Sequence, residues 1–176
     1  MPMTFTLPFR NIGAICALAL ACLAAPGVAR AATLPRLEAD SLGGTHVVLP
    51  TDAAGTPLVL LLAYTPESEA DLKAWSRAFV DQHDLAMYVV VVADRQAFMS
   101  RKHIRSLVEG AAVGTREQIE RNVLVTFSGA GWQSLVAPGD KRVAGVVACN
   151  ANGDVTFAQR IGFSDAHLAD VERALK

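Results

Sequence analysis

Residues 56–79 read TPLVLLLAYTPESEADLKAWSRAF. Leu58–Ala63 is an uncharged apolar run, the pattern of a strand covered on both faces as in a parallel sheet. Thr65 is placed to cap a helix. Pro66 suits the first helical position, because the N–H it lacks would have no helical partner there. Glu67 and Glu69 follow in the first turn, where the helix dipole favours negative charge. Leu72, Trp75 and Phe79 then share one helix face. The stretch reads as buried strand, sharp turn and amphipathic helix, and the turn is the natural seat for chemistry.

Downstream, residues 85–93 form a second buried strand rich in valine, and the helix between the two runs makes a right-handed βαβ unit. Residues 94–100 leave this strand at its C-terminal end, where sites gather in open α/β sheets. Asp94 and Arg95 there read either as a site or as a loop pair satisfying each other. Residues 100–112 suit a helix with Ile104, Leu107, Val108 and Ala111 inward. Arg101, Lys102, His103 and Arg105 form a basic cluster on it. That cluster is a solvated helix face, or a docking surface for an acidic partner or anionic lipid headgroups. Thr115 and Gln118 fit a capping box for a second short helix.

Residues 122–127 are a third strand, and Trp132, Leu135 and Val136 suit a short helix ended by Pro138. Residues 143–149 are a fourth strand. Asn152-Gly153 is a hairpin signal joining it to a strand over residues 155–160. Ser164 caps a last helix with Leu168, Val171 and Leu175 inward. Upstream of the opening stretch, residues 34–40 read as a lead-in, 40–45 as a turn and His46–Leu49 as an edge strand. Residues 51–56 make a polar linker.

Residues 1–31 read as a cleaved export signal: Arg10 ahead of an uncharged alanine- and leucine-rich segment over 11–25, then Ala29-Arg30-Ala31 as a small-x-small cut. The apolar segment is short against the ~20 residues of a membrane span. Two alternatives stay open: a lipoprotein cut before Cys22, and a retained membrane anchor. Residues 32–176 then form one domain of 145 residues, long enough for its own core. Arg10 and Arg30 leave with the signal, so 14 cations face 17 acids and the remaining chain carries −3. This balance does not point to nucleic acid. The expected location is periplasmic or secreted.

With the cut after Ala31, Cys149 is the one cysteine left, so no internal disulfide forms. Cys149 reads as a buried core thiol. A redox role would require an electropositive, partly open setting. His46, His83, His103 and His167 share no metal spacing, and His46 reads as an exposed strand residue. Ser164, Asp165 and His167 resemble triad members, but capping and the dipole account for the serine and aspartate. No glycine-rich phosphate loop is present, and no cofactor is expected.

The element order resembles the thioredoxin-like fold: an α/β domain with a central mixed sheet and flanking helices. A helical insert precedes the third core strand, and a C-terminal β-hairpin and helix close the chain. In that fold the turn after the first buried strand carries Cys-x-x-Cys, with the first thiol acidified by the helix N-terminus. Here Glu67 and Ala70 fall at those places, and no cysteine occurs from residue 31 to 148. Many members also carry a cis-proline just before the hairpin's first strand. The matching place, near Gly145, has none.

In layout the chain resembles bacterial relatives of the mitochondrial chaperone that assembles the ATP synthase membrane sector. The resemblance rests on Leu58 to Trp75, Met87 to Arg105, Arg116 to Phe127, Trp132 with Leu135, and the final hairpin and helix. It implies a non-catalytic protein that binds an envelope or membrane protein or helps assemble it. The candidate binding residues are Glu67, Glu69, Arg101, Lys102, Arg105 and Arg116. Thiol or peroxide chemistry at Cys149 is the alternative.

Overall fold

The computed structural model describes residues 32–92, 113–127 and 129–176. The export signal expected over residues 1–31, the loop with Asp94 and Arg95 and the helix expected over 100–112, with Arg101, Lys102 and Arg105, lie outside the described residues.

In chain order the elements are β1 (Ala32–Thr33), β2 (Leu37–Ser41), β3 (His46–Leu49), β4 (Leu58–Ala63), α1 (Glu69–Phe79) and β5 (Ala86–Val92). Then come α2 (Arg116–Asn122), β6 (Val123–Thr126), α3 (Gly129–Gln133), β7 (Gly145–Cys149), β8 (Asp154–Arg160) and α4 (Asp165–Ala174). The described strands form one sheet in the order β1-β8-β7-β4-β5-β6-β2-β3. β4, β5 and β6 run parallel, and β7 lies antiparallel to β4. This mixed sheet with flanking helices is the thioredoxin-like α/β arrangement.

β4 is the central strand, and all six of its residues are buried. Alternation sends Leu58, Leu60 and Leu62 into one core with Leu49, Leu124, Trp132 and Val147. Val59, Leu61 and Ala63 enter the other, beneath Leu72, Trp75 and Phe79 of α1 and Val171 of α4. Trp75 holds this second layer together. It stacks on Phe79 at 6.1 Å, meets Phe163 edge-on at 5.2 Å and donates its indole N–H to Ile161 O at 3.2 Å. Each such aromatic pair adds about 0.5–1.5 kcal/mol beyond area burial.

The local signals act where they stand. Thr115 and Gln118 close a reciprocal capping box on α2. The Ser164 hydroxyl accepts the His167 N–H at the start of α4. Gly153 turns the β7–β8 hairpin at φ +81°, a conformation that costs glycine nothing.

Three expectations need correction. Residues 34–40 are more than a lead-in: β2 pairs with both β3 and β6 and carries the sheet two strands past β6. The Thr65 hydroxyl caps no helix. Pro66–Ser68 form a 3-10 turn between Thr65 and α1, the Thr65 hydroxyl accepts no helix N–H, and Oγ1 donates to the distant Lys141 O at 3.0 Å. The helix near Trp132 stops at Gln133, so Leu135 and Val136 lie beyond it.

Candidate binding site at the end of the central strand

β4 runs straight into the 3-10 turn and α1, so Tyr64 to Asp71 sit at the sheet end where the parallel strands finish. The start of β7 and the end of β8 close the same end, since Gly145 pairs with both Leu62 and Arg160. The loop over residues 137–143 reaches across it.

Tyr64 and Arg160 form the floor. The Arg160 guanidinium lies 3.8 Å from the Tyr64 ring centroid, and its Nε donates to Ala137 O at 3.3 Å. The phenol donates to Trp132 O at 3.3 Å. Burial pushes the Tyr64 phenol above its ordinary value, and the nearby Arg160 charge partly opposes that. Arg160 Nη1 is buried and finds no hydrogen-bond partner.

The rim is polar. Arg142 and Asp140 make a fork-to-fork pair, Nη2 to Oδ2 at 2.7 Å and Nε to Oδ1 at 3.0 Å. The Arg142 side-chain and backbone bonds hold the Asp140 carboxyl down at about 2. Glu67 is also held below its ordinary range, first by its own backbone N–H, then by the Thr65 hydroxyl, with the Arg142 charge a smaller aid. The Thr65 hydroxyl has one proton and a carbonyl acceptor at 3.0 Å, so the backbone N–H is the firmer support for Glu67.

Asp71 is the residue that sequence reading passed over. Its Oδ2 accepts the Ala144 N–H at 2.9 Å and its Oδ1 the Phe163 N–H at 2.6 Å. One carboxylate in the first turn of α1 therefore ties that helix to the entry of β7 and to the loop before α4. A first-turn acid is normally explained by the dipole, which is why the sequence hid this role.

Gly145 stands where a proline was looked for. A Cβ here would come within 3.2 Å of Leu62 Cβ and 3.3 Å of Val136 Cγ2, so close packing accounts for the glycine. Among the described residues the one cis peptide is Leu49–Pro50, and Pro50 lies by Cys149, at the other end of this strand from Gly145.

Of the candidate residues, Glu67 and Glu69 are exposed at this end. Arg116 is not with them. Gly114 packs on Val80 beyond the C-terminal end of α1, so Arg116 lies toward the far end of that helix from Glu69, where it pairs with Glu120 at 3.2 Å. Cys149 is remote as well. It faces Leu58, the first residue of β4, about 20 Å along the strand from Tyr64 at ~3.3 Å per residue. It is fully buried, and burial first and the Asp154 charge second push its thiol up to about 11. His46 is exposed and bonds Asp40 at 3.0 Å. No three His, Cys, Asp or Glu side chains converge as metal ligands among the described residues.

No protein-family model matches the chain, and no curated protein does. Solved structures do match it. DsbF of MTB, in mixed oxidised and reduced forms, superposes with TM-score 0.61 at 17% identity, covering 82% of this chain and 100% of its own. A secreted Mycobacterium tuberculosis disulfide oxidoreductase homologous to E. coli DsbE gives 0.57 at 16%, covering 79% and 96%. BsSco, a member of the Sco family of cytochrome c oxidase assembly proteins, gives 0.57 at 10%, covering 82% and 94%. At these identities the likeness carries the thioredoxin-like fold and nothing finer.

Proposed function

We propose that this chain is an exported, non-catalytic thioredoxin-like protein that binds an envelope protein, or assists its assembly, through the end of the sheet where β4 meets α1. The observation that carries the reading is the separation of thiol and turn. The turn over residues 64–71 holds no cysteine, and Cys149 is buried at the opposite end of β4 with its thiol pushed up to about 11. A thiol that far above neutral pH stays protonated and is a poor nucleophile. The groups left at the turn are recognition groups: two exposed acids, the Asp140–Arg142 fork and the Tyr64–Arg160 stack.

The resemblance to the ATP synthase membrane-sector chaperone supports assembly work, as does the likeness to a Sco protein whose family assembles cytochrome c oxidase. Export agrees with the signal-like residues 1–31 and with a secreted relative in fold. The basic cluster Arg101, Lys102 and Arg105 belongs to the same proposal, as an acidic-partner or lipid-headgroup contact. The disulfide oxidoreductases among the structural neighbours favour a second reading, single-thiol chemistry at Cys149.

A tagged pull-down from native envelope after thiol blocking, with and without reductant, separates the two. The binding reading expects a non-covalent partner that Cys149→Ala retains and Arg142→Glu weakens about tenfold or more, as for a charged contact at an interface. Partners captured only as mixed disulfides through Cys149 would replace it with the redox reading.

A further inference from the structure

A second concavity lies at the other end of α1, where the helix ends beside the start of β5 and beside α2. Its volume is about 150 Å³. Phe79, Met87, Val89 and Ile119 supply apolar wall, and His83, Gln118 and Arg121 supply polar groups. Among the described residues no aspartate or glutamate lines it. The acids on the adjoining segments, Asp81, Asp84, Glu117 and Glu120, stay off the wall, and Glu120 is engaged by Arg116. Arg121 makes one bond, from Nε to Asn122 Oδ1 at 3.3 Å, and pairs with no carboxylate among the described residues. Ser76, also in the wall, is fully buried and its hydroxyl has no partner.

These features describe a site with one sign. A cavity of about 150 Å³ holds a single six-membered ring. The accessible wall is more polar than apolar, with Met87 and Ile119 giving an apolar patch beside His83, Gln118 and Arg121, and a few convergent polar groups are what orient a ligand in a small-molecule site. A guanidinium and an imidazole with no acid beside them in the lining among the described residues favour an anion, and a carboxylate is the anion whose two oxygens match the guanidinium fork. We infer that this cavity binds a small carboxylate with a compact apolar body, the body against Phe79, Met87 and Ile119 and the carboxylate toward Arg121. The site is separate from the sheet end proposed above for protein binding, and neither needs the other.

The test is titration of the full chain with sodium benzoate, followed by NMR of the Met87, Val89 and Ile119 methyl groups. Benzyl alcohol, the same ring uncharged, and acetate, the charge without the ring, serve as comparisons. Benzoate is expected to saturate at one site with a millimolar Kd and to bind about tenfold or more tightly than either comparison. Arg121→Gln, a change at an exposed side chain, is expected to cost benzoate about tenfold while leaving thermal unfolding unchanged. Ile119→Trp, which fills the cavity from its half-buried wall, is expected to abolish the methyl shifts. Benzyl alcohol binding as well as benzoate, undiminished binding in Arg121→Gln, or no saturable shift at all would each overturn the inference.

Discussion

Asp140 and Cys149 are moved in opposite directions by their surroundings, and both shifts have consequences in pH. Asp140 is exposed, yet the Arg142 fork lowers its carboxyl from 3.8 to about 2. A carboxyl lowered on folding contributes stability above its unfolded pKa and loses it as pH falls through the folded value. The fork is therefore expected to persist down through pH 4 and open as pH approaches 2. NMR titration of the Asp140 carboxyl carbon between about pH 5 and pH 1 reads this directly, and a midpoint near the ordinary 4 would remove the fork from the solution structure. Cys149 is raised from 9.0 to about 11, so its contribution is full below 9 and lost as pH rises through 11. Burial, the larger cause, follows from β7 being covered on both faces, with all five of its residues buried.

Among the elements, α1 has the most to hold. Its apolar face packs on the sheet through Leu72, Trp75 and Phe79, while Asp71 holds the backbone of two other segments. Hydrogen bonds to a charged acceptor are worth about 1.5–3 kcal/mol each, and a buried N–H left without an acceptor costs about 1–3 kcal/mol. Asp71→Ala is thus expected to destabilise the domain by about 2–4 kcal/mol, and Asp71→Asn, with one carbonyl oxygen remaining, by about half of that. Urea unfolding monitored by tryptophan fluorescence checks the order. Equal stability of all three proteins would reduce Asp71 to an ordinary first-turn acid.

For the whole molecule, the sheet has two ends to protect. β1 is two residues long, too short to template another strand. β3 is longer and lies last in the order, with His46 exposed. Its Val48 N–H is occupied by Asp52 Oδ2 at 2.7 Å, from the 3-10 turn Thr51–Ala53. A carboxylate on an edge both removes a free donor and repels an incoming carbonyl. Asp52→Ala is expected to give concentration-dependent self-association in sedimentation equilibrium, and Asp52→Asn, which keeps an oxygen there, is expected to behave as the unaltered chain. A monomeric Asp52→Ala would show that the edge needs no such guard. Among the described residues no helix is long and apolar enough to cross a membrane.

How much was legible follows from the range of each interaction. Leu58–Ala63, the α1 face, the Thr115 box, the Asn152-Gly153 hairpin and the Ser164 cap were all readable. Their causes lie within a few residues: periodicity, turn conformations and helix-end hydrogen bonding. Cys149 was readable as a core residue because cysteine is among the most buried residue types. The N-terminal strand β2 was missed because LEADS has little β propensity, and its place is set by pairing with β3 and β6. The candidate site was legible only as a location. Thr65 donating across to Lys141, Arg160 under Tyr64 and Asp71 bridging to residues 144 and 163 join groups scores of residues apart. The sequence by itself determined the thioredoxin-like order and emptied its turn of thiols. The tertiary structure alone decided which polar groups meet there, because those contacts exist only once the sheet has brought distant segments to one end.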